Sequence, residues 1–169
     1  YFGGVSIYDD HNQRFKHHYS VLGDDQSLSY DVIGAFEVDT DGNLYIGTER
    51  GGLNFYDNRS QTYTKIKDLV GSESIIKSLN IDPNKQLWVG IFKNGLYYFD
   101  VKRKQLISVS PKQEPQFKYL QDAIINSMYS KDLDFLWIGT DRKGLQKFDY
   151  KTKSYVPYPY QKELDSIIN

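Results

Sequence analysis

Leu44-Tyr-Ile-Gly-Thr48, Leu87-Trp-Val-Gly-Ile91 and Leu136-Trp-Ile-Gly-Thr140 are one pattern met three times. Five residues after each glycine stands another, as Gly47 and Gly52, Gly90 and Gly95, Gly139 and Gly144. A leucine follows each second glycine (Leu53, Leu96, Leu145), then an aromatic-Asp pair: Tyr56-Asp57, Phe99-Asp100, Phe148-Asp149. Six residues beyond the Asp comes an apolar residue, Tyr63, Leu106 or Tyr155. Upstream, Ile33, Ile76 and Ile125 each lie 14 residues before the first glycine. Gly4-Val5, Tyr8-Asp9 and Phe15 are the tail of a further copy. Measured on the second glycine, the period is 48, 43 and 49 residues. The variation falls between the Asp and the next Ile, at 24, 19 and 25 residues, so that segment holds the variable loop.

Each unit reads as four short strands. Strand A runs near Ile33–Val38, Ile76–Ile81 and Ile125–Tyr129, and strand B is the Leu-Trp-Ile-Gly segment. A Gly-containing turn leads to strand C at Leu53–Tyr56, Leu96–Phe99 and Leu145–Phe148. Strand D carries the last apolar residue, as in Thr62–Ile66 and Gln105–Val109. The glycines are expected to supply φ > 0 in the B–C hairpin and close approach between neighbouring backbones. The aromatic after Leu in strand B is expected to pack between repeats. Four strands recurring at this spacing indicate β-propeller blades, which bury their faces by stacking on neighbours.

The expected fold is therefore all-β, a partial propeller of about three and a half four-stranded antiparallel blades. Residues 1–23 are the C–D tail of one blade, 24–66, 67–110 and 111–157 are blades, and 158–169 begin the next. The ending Leu164-Asp-Ser-Ile-Ile-Asn169 repeats the approach to strand A at Glu73-Ser-Ile-Ile-Lys77. Residue 1 is Tyr rather than Met, and the chain reads as a piece of something longer. An open arc leaves two blade faces uncovered. The expected partners are therefore the rest of its own propeller or a second copy of the chain.

Composition narrows the function. The 169 residues hold 21 Lys+Arg against 22 Asp+Glu, a formal net charge of −1, so no global basic field exists to hold nucleic acid. Aromatics make up 15%, too many for a disordered chain. With no cysteine, disulfides, thiol catalysis and zinc-thiolate sites are excluded. Apolar runs such as Gly95-Leu-Tyr-Tyr-Phe99 fall far short of the ~18 residues that a spanning helix needs.

The pattern Ile-x-x-x-x-x-Asp-x-x-Gly-x-Leu-Trp-Ile-Gly-Thr-x-x-x-Gly-Leu-x-x-Tyr-Asp resembles the two-component regulator propeller repeat. The best single match is Val32–Asp57, and the unit at Leu136–Asp149 matches nearly as well over its second half. The resemblance implies a place in the extracytoplasmic, usually periplasmic, sensor region of a membrane-bound histidine kinase, often a hybrid kinase. It implies oligosaccharide fragments as inducers, signalling to a cytoplasmic phosphorelay that regulates transcription. No kinase, receiver or DNA-binding part lies in this chain, so the membrane is reached only through the parent protein.

Three basic residues share one B–C hairpin position, Arg50, Lys93 and Arg142, and Lys143 adds a fourth. Around a ring they would form a positive arc able to hold uronate or sulfate groups. The plainer reading is solvated hairpin charge, partly paired with Glu49 and Asp141. In the D–A loops, Phe117, Tyr119, Tyr158 and Tyr160 offer rings that stack on sugar faces, or that fill grooves between blades. Asp39-Thr-Asp-Gly-Asn43 resembles the opening of a calcium loop but lacks its later ligands, and reads as an Asx-type turn. His17 and His18 point to opposite faces of a strand and, with His11, read as surface residues. No metal or cofactor site is expected. No nucleophile–base pair, paired carboxylates or phosphate loop is visible, which leaves ligand sensing ahead of a protein-interaction scaffold, and both ahead of a propeller lyase or hydrolase.

Overall fold

The computed structural model describes residues 4–9, 14–66, 74–109, 120 and 122–157. Fourteen strands and no helix occur among them. Strands β1 (Val5–Asp9) and β2 (Arg14–His18) form a two-stranded sheet. Three four-stranded antiparallel meanders follow. The first is β3 (Ile33–Val38), β4 (Leu44–Thr48), β5 (Leu53–Asp57) and β6 (Thr62–Ile66). The second is β7 (Ile76–Ile81), β8 (Leu87–Ile91), β9 (Gly95–Asp100) and β10 (Gln105–Ser108). The third is β11 (Ile125–Tyr129), β12 (Phe135–Thr140), β13 (Leu145–Asp149) and β14 (Ser154–Pro157). The fold is a partial β-propeller, with strands where the repeat places them.

The sheets stack face to face, with β3 against β7 and β7 against β11 as the innermost strands. The middle sheet is covered on both sides. All five residues of β8 are buried, which is why Leu-Trp-Val-Gly-Ile is apolar without alternation. Leu87, Val89 and Ile91 join the core shared with the first sheet, whereas Trp88 joins the core shared with the third. Strand β12 alternates buried with half-buried residues, as a sheet covered on one face does.

The two glycines of each repeat do different work. Gly52, Gly95 and Gly144 have φ of 69°, 82° and 65° in the B–C hairpins. Gly47 and Gly90 serve close approach instead: a Cβ on Gly47 would lie 2.3 Å from Cγ2 of Ile76, and one on Gly90 would lie 2.9 Å from Cβ of Ile125. Each glycine thus admits the first residue of the next inner strand. Each inner strand also carries a bulge there, between Ile33 and Ala35, Ile76 and Ser78, and Ile125 and Ser127. A bulge sharpens twist around the extra residue, which is Gly34, Lys77 or Asn126, and re-aims the side chain where there is one.

The repeated aspartates close turns. Oδ1 of Asp57 accepts from the N–H groups of Arg59 and Ser60, that of Asp100 from Lys102 and Arg103, and that of Asp149 from Lys151 and Thr152. The Ser60 and Thr152 N–H groups hold the Asp57 and Asp149 carboxyls below the usual carboxylate range. Oδ1 of Asp39 likewise accepts from the N–H groups of Asp41 and Asn43, so Asp39-Thr-Asp-Gly-Asn43 is a turn.

One expectation is corrected. His17 is exposed, but His18 is buried against the first four-stranded sheet, its Nδ1 hydrogen-bonded to the Tyr63 hydroxyl at 2.6 Å. Its ring meets Tyr56 and Tyr63 edge-on. Burial pushes the His18 pKa down, with Lys16 and His17 adding to the effect. The alternation that separates the two histidines turns one of them inward. His11 lies outside the described residues.

Candidate functional site

The B–C hairpins share one end of the stack. Gly47, beside the first hairpin, packs on Ile76, which pairs with Ile91 beside the second. Gly90 packs in the same way on Ile125, which pairs with Thr140 beside the third. Each tip is held by backbone and hydroxyl bonds. Thr48 Oγ1 donates to the Gly52 carbonyl and accepts from the Gly51 N–H, and Thr140 Oγ1 donates to the Gly144 carbonyl. The N–H groups of Glu49, Phe92 and Asp141 bond the carbonyls of Val32, Ile75 and Ile124, tying each hairpin to the entry of its inner strand.

Arg50, Lys93, Arg142 and Lys143 all sit exposed on these tips. Arg142 and Lys143 share one tip, and Arg50 and Lys93 stand on the other two. The Lys93 ammonium lies 5.2 Å from the centre of the Phe92 ring. Arg142 Nε is 3.6 Å from Asp141 Oδ2, with both groups open to solvent, a pairing worth little. Glu49 does not pair with Arg50. Its carboxylate is 2.6 Å from the Lys77 ammonium on the next sheet, and Arg50 has no acidic partner among the described residues. The bulge at Lys77 is the physical reason, because it aims that side chain at Glu49.

Beside the tips, the inner strands line a cleft of about 750 Å³. The three bulge residues Gly34, Lys77 and Asn126 all border it, with Ser78, Ser127 and Met128. The rest of its wall, with Val5, Ile33, Phe36 and Leu79, is apolar, so the lining suits a ligand that has both apolar faces and hydroxyl edges. Phe117, Tyr119, Tyr158 and Tyr160 lie outside the described residues.

A second cleft, of about 480 Å³, lies between the first two four-stranded sheets, away from these tips, among Tyr45, Phe55, Phe99 and Val101. Sequence reasoning did not single it out, nor the Glu49–Lys77 and His18–Tyr63 pairs. The available signal was positional: Tyr45 stands where the other repeats have Trp88 and Trp137.

Residues 27–50 match the family model for the two component regulator propeller. No curated protein matches the chain in sequence. Among solved structures, the chain is similar to the extracellular domain of BT3049 of B. thetaiotaomicron, described as a hybrid two component system. The likeness has a TM-score of 0.76 at 19% identity over 94% of this chain and 22% of that one. The extracellular domain of BT4673 from the same organism, described in the same way, gives a TM-score of 0.75 at 18% identity over 96% and 20%. The chain thus spans about a fifth of the length of those domains. Its sequence carries a two component regulator propeller repeat at residues 27–50, and its fold is a partial propeller like those of two-component extracellular domains.

Proposed function

We propose that this chain is part of an extracytoplasmic ligand-sensing propeller of a bacterial two-component, or hybrid, histidine kinase. In the parent protein it stands on the periplasmic side of the inner membrane and recognises an oligosaccharide, with acidic glycans favoured. The observation that carries this reading is the set of cationic hairpin tips at one end of three successive sheets, whose inner strands line a cleft of mixed apolar and polar character. The kinship of the repeat at residues 27–50 with two component regulators supports the sensing role. Ligand binding here favours one relative placement of propellers or subunits, and the kinase equilibrium follows it. Catalysis is assigned to the parent's kinase, not to this chain.

The test is a binding titration with an oligogalacturonate. Arg50→Glu together with Arg142→Glu is expected to weaken affinity at least about tenfold, since a charge-assisted hydrogen bond is worth roughly 1.5–3 kcal/mol. The interaction should also weaken with added salt. Unchanged affinity in the double variant removes the tips from the site.

The sheets at the two ends support the partner reading, completion of a ring. Leu53 and Leu96 are 0% exposed beneath the following sheet, whereas Leu145, at the same repeat position, is 41% exposed. Tyr129 is exposed on the same terminal sheet. At the other end, Phe36 and Val38 are exposed on β3, while Tyr56 and Tyr63 on the outer strands are covered by His18. These faces match propeller blades, supplied by the parent chain or by a second copy.

A further inference from the structure

The two grooves between the four-stranded sheets are built from the same repeat positions but filled differently. In the groove between the second and third sheets, Trp88 projects from β8 and Tyr150 follows β13. Their rings lie 5.8 Å apart, and each packs on Phe148, at 5.4 Å and 5.8 Å. Trp88 Nε1 also donates to Asp82 Oδ2 at 2.9 Å. That groove is closed by aromatic rings.

Between the first and second sheets, the position of Trp88 is taken by Tyr45 and that of Tyr150 by Val101. Two smaller side chains therefore face a wall of unchanged aromatic character. Tyr45 lies 5.0 Å from Phe55 and 6.3 Å from Phe99, ring centre to ring centre. The result is the cleft of about 480 Å³, lined by Tyr45, Phe55, Ile66, Phe99 and Val101. Val101 is exposed at its mouth, where Tyr150 is half-buried in the closed groove.

The charge at its rim has one sign. Lys104 lines the cleft from the β9–β10 hairpin, and it is exposed and has no acidic partner among the described residues. Lys65 lines the other side, its ammonium held by the Asp24 carbonyl at 2.9 Å and 3.6 Å from the exposed Asp25 carboxylate.

We propose that this groove binds a small aromatic carboxylate, a single phenol or indole ring bearing one acid group. The ring takes the place that Tyr150 occupies in the neighbouring groove, against Tyr45 and Phe99, the counterparts of Trp88 and Phe148, with Phe55 on the same wall, and the carboxylate meets the Lys104 ammonium. Aromatic rings favour such offset or edge contacts, and a cation beside an apolar cleft selects an anion. The site is separate from the hairpin tips and does not depend on them.

The test uses 4-hydroxyphenylacetate, titrated into the full chain and followed by calorimetry and by the ring resonances of Phe55 and Phe99. Saturable binding that shifts both phenylalanines is expected. Tyr45→Trp with Val101→Tyr copies the closed groove; it should raise the melting temperature and weaken binding at least about tenfold. Lys104→Glu should weaken 4-hydroxyphenylacetate several-fold and leave 4-ethylphenol, which lacks the carboxylate, unchanged. Absence of saturable binding at millimolar probe overturns the proposal. So does full affinity in the folded double variant, or a preference for glucuronate over the aromatic acid.

Discussion

Replacing Trp88 with alanine is expected to cost the fold about 3–5 kcal/mol, read as a fall in the urea midpoint. The indole is buried in the core between the second and third sheets, against Tyr98, Phe148 and Tyr150. Its removal leaves a cavity that the surrounding strands cannot close, because each is pinned in its own ladder. It also takes the indole N–H from Asp82 Oδ2. Trp88→Phe keeps an aromatic ring but loses the indole N–H and part of the buried volume, so its cost is expected to fall between those of the native chain and Trp88→Ala. Trp137 is the internal control. It holds the same place in the third sheet, where it is half-buried and the Lys147 ammonium lies 5.8 Å from its ring centre. Trp137→Ala is expected to cost clearly less than Trp88→Ala. Equal losses would mean that Trp88 is not packed between sheets.

The second large effect is at Gly34. An alanine Cβ there would stand 2.0 Å from the Ile76 carbonyl oxygen. That oxygen is backbone, so relief requires moving β7 away from β3 and opening the core that holds Ile76. Gly34→Ala is expected to destabilise by about 1–3 kcal/mol or more, as overpacking does. Gly144→Ala makes the comparison. Its φ is +65°, yet nothing lies within 4 Å of the added Cβ. It therefore carries only the strain of a left-handed residue, about 1–2 kcal/mol. Both are read from urea midpoints. A neutral Gly34→Ala would contradict the close contact of the inner strands.

What could be read from the sequence depended on what a single repeat contains. Strand positions, the hairpin glycines and the turn aspartates are local, and three copies in register made them legible. Glycines 47 and 90 were legible as close-approach positions, but not the partner, since Ile76 and Ile125 belong to the next repeat. The Glu49–Lys77 pair escaped for the same reason: Arg50 is its neighbour in sequence, but the bulge aims Lys77 across the sheet boundary. His18 was read from alternation alone, which separates it from His17 without saying which faces inward. The open groove required comparing Tyr45 with Trp88 and Val101 with Tyr150 together, two differences that matter only once the sheets are stacked. Arg50, Lys93 and Arg142 were readable as one position in three hairpins, and the stacking puts those hairpins at one end.

The central claim is that the end faces around Phe36 and Leu145 are blade interfaces awaiting further blades. Absolute mass by light scattering tests it most directly. The account predicts self-association to at least twice the 19.7 kDa chain mass, reduced towards 19.7 kDa by Phe36→Glu with Leu145→Glu. A folded species at 19.7 kDa would assign the missing blades to the parent chain alone, and self-association that Phe36→Glu with Leu145→Glu leaves intact would contradict the claim.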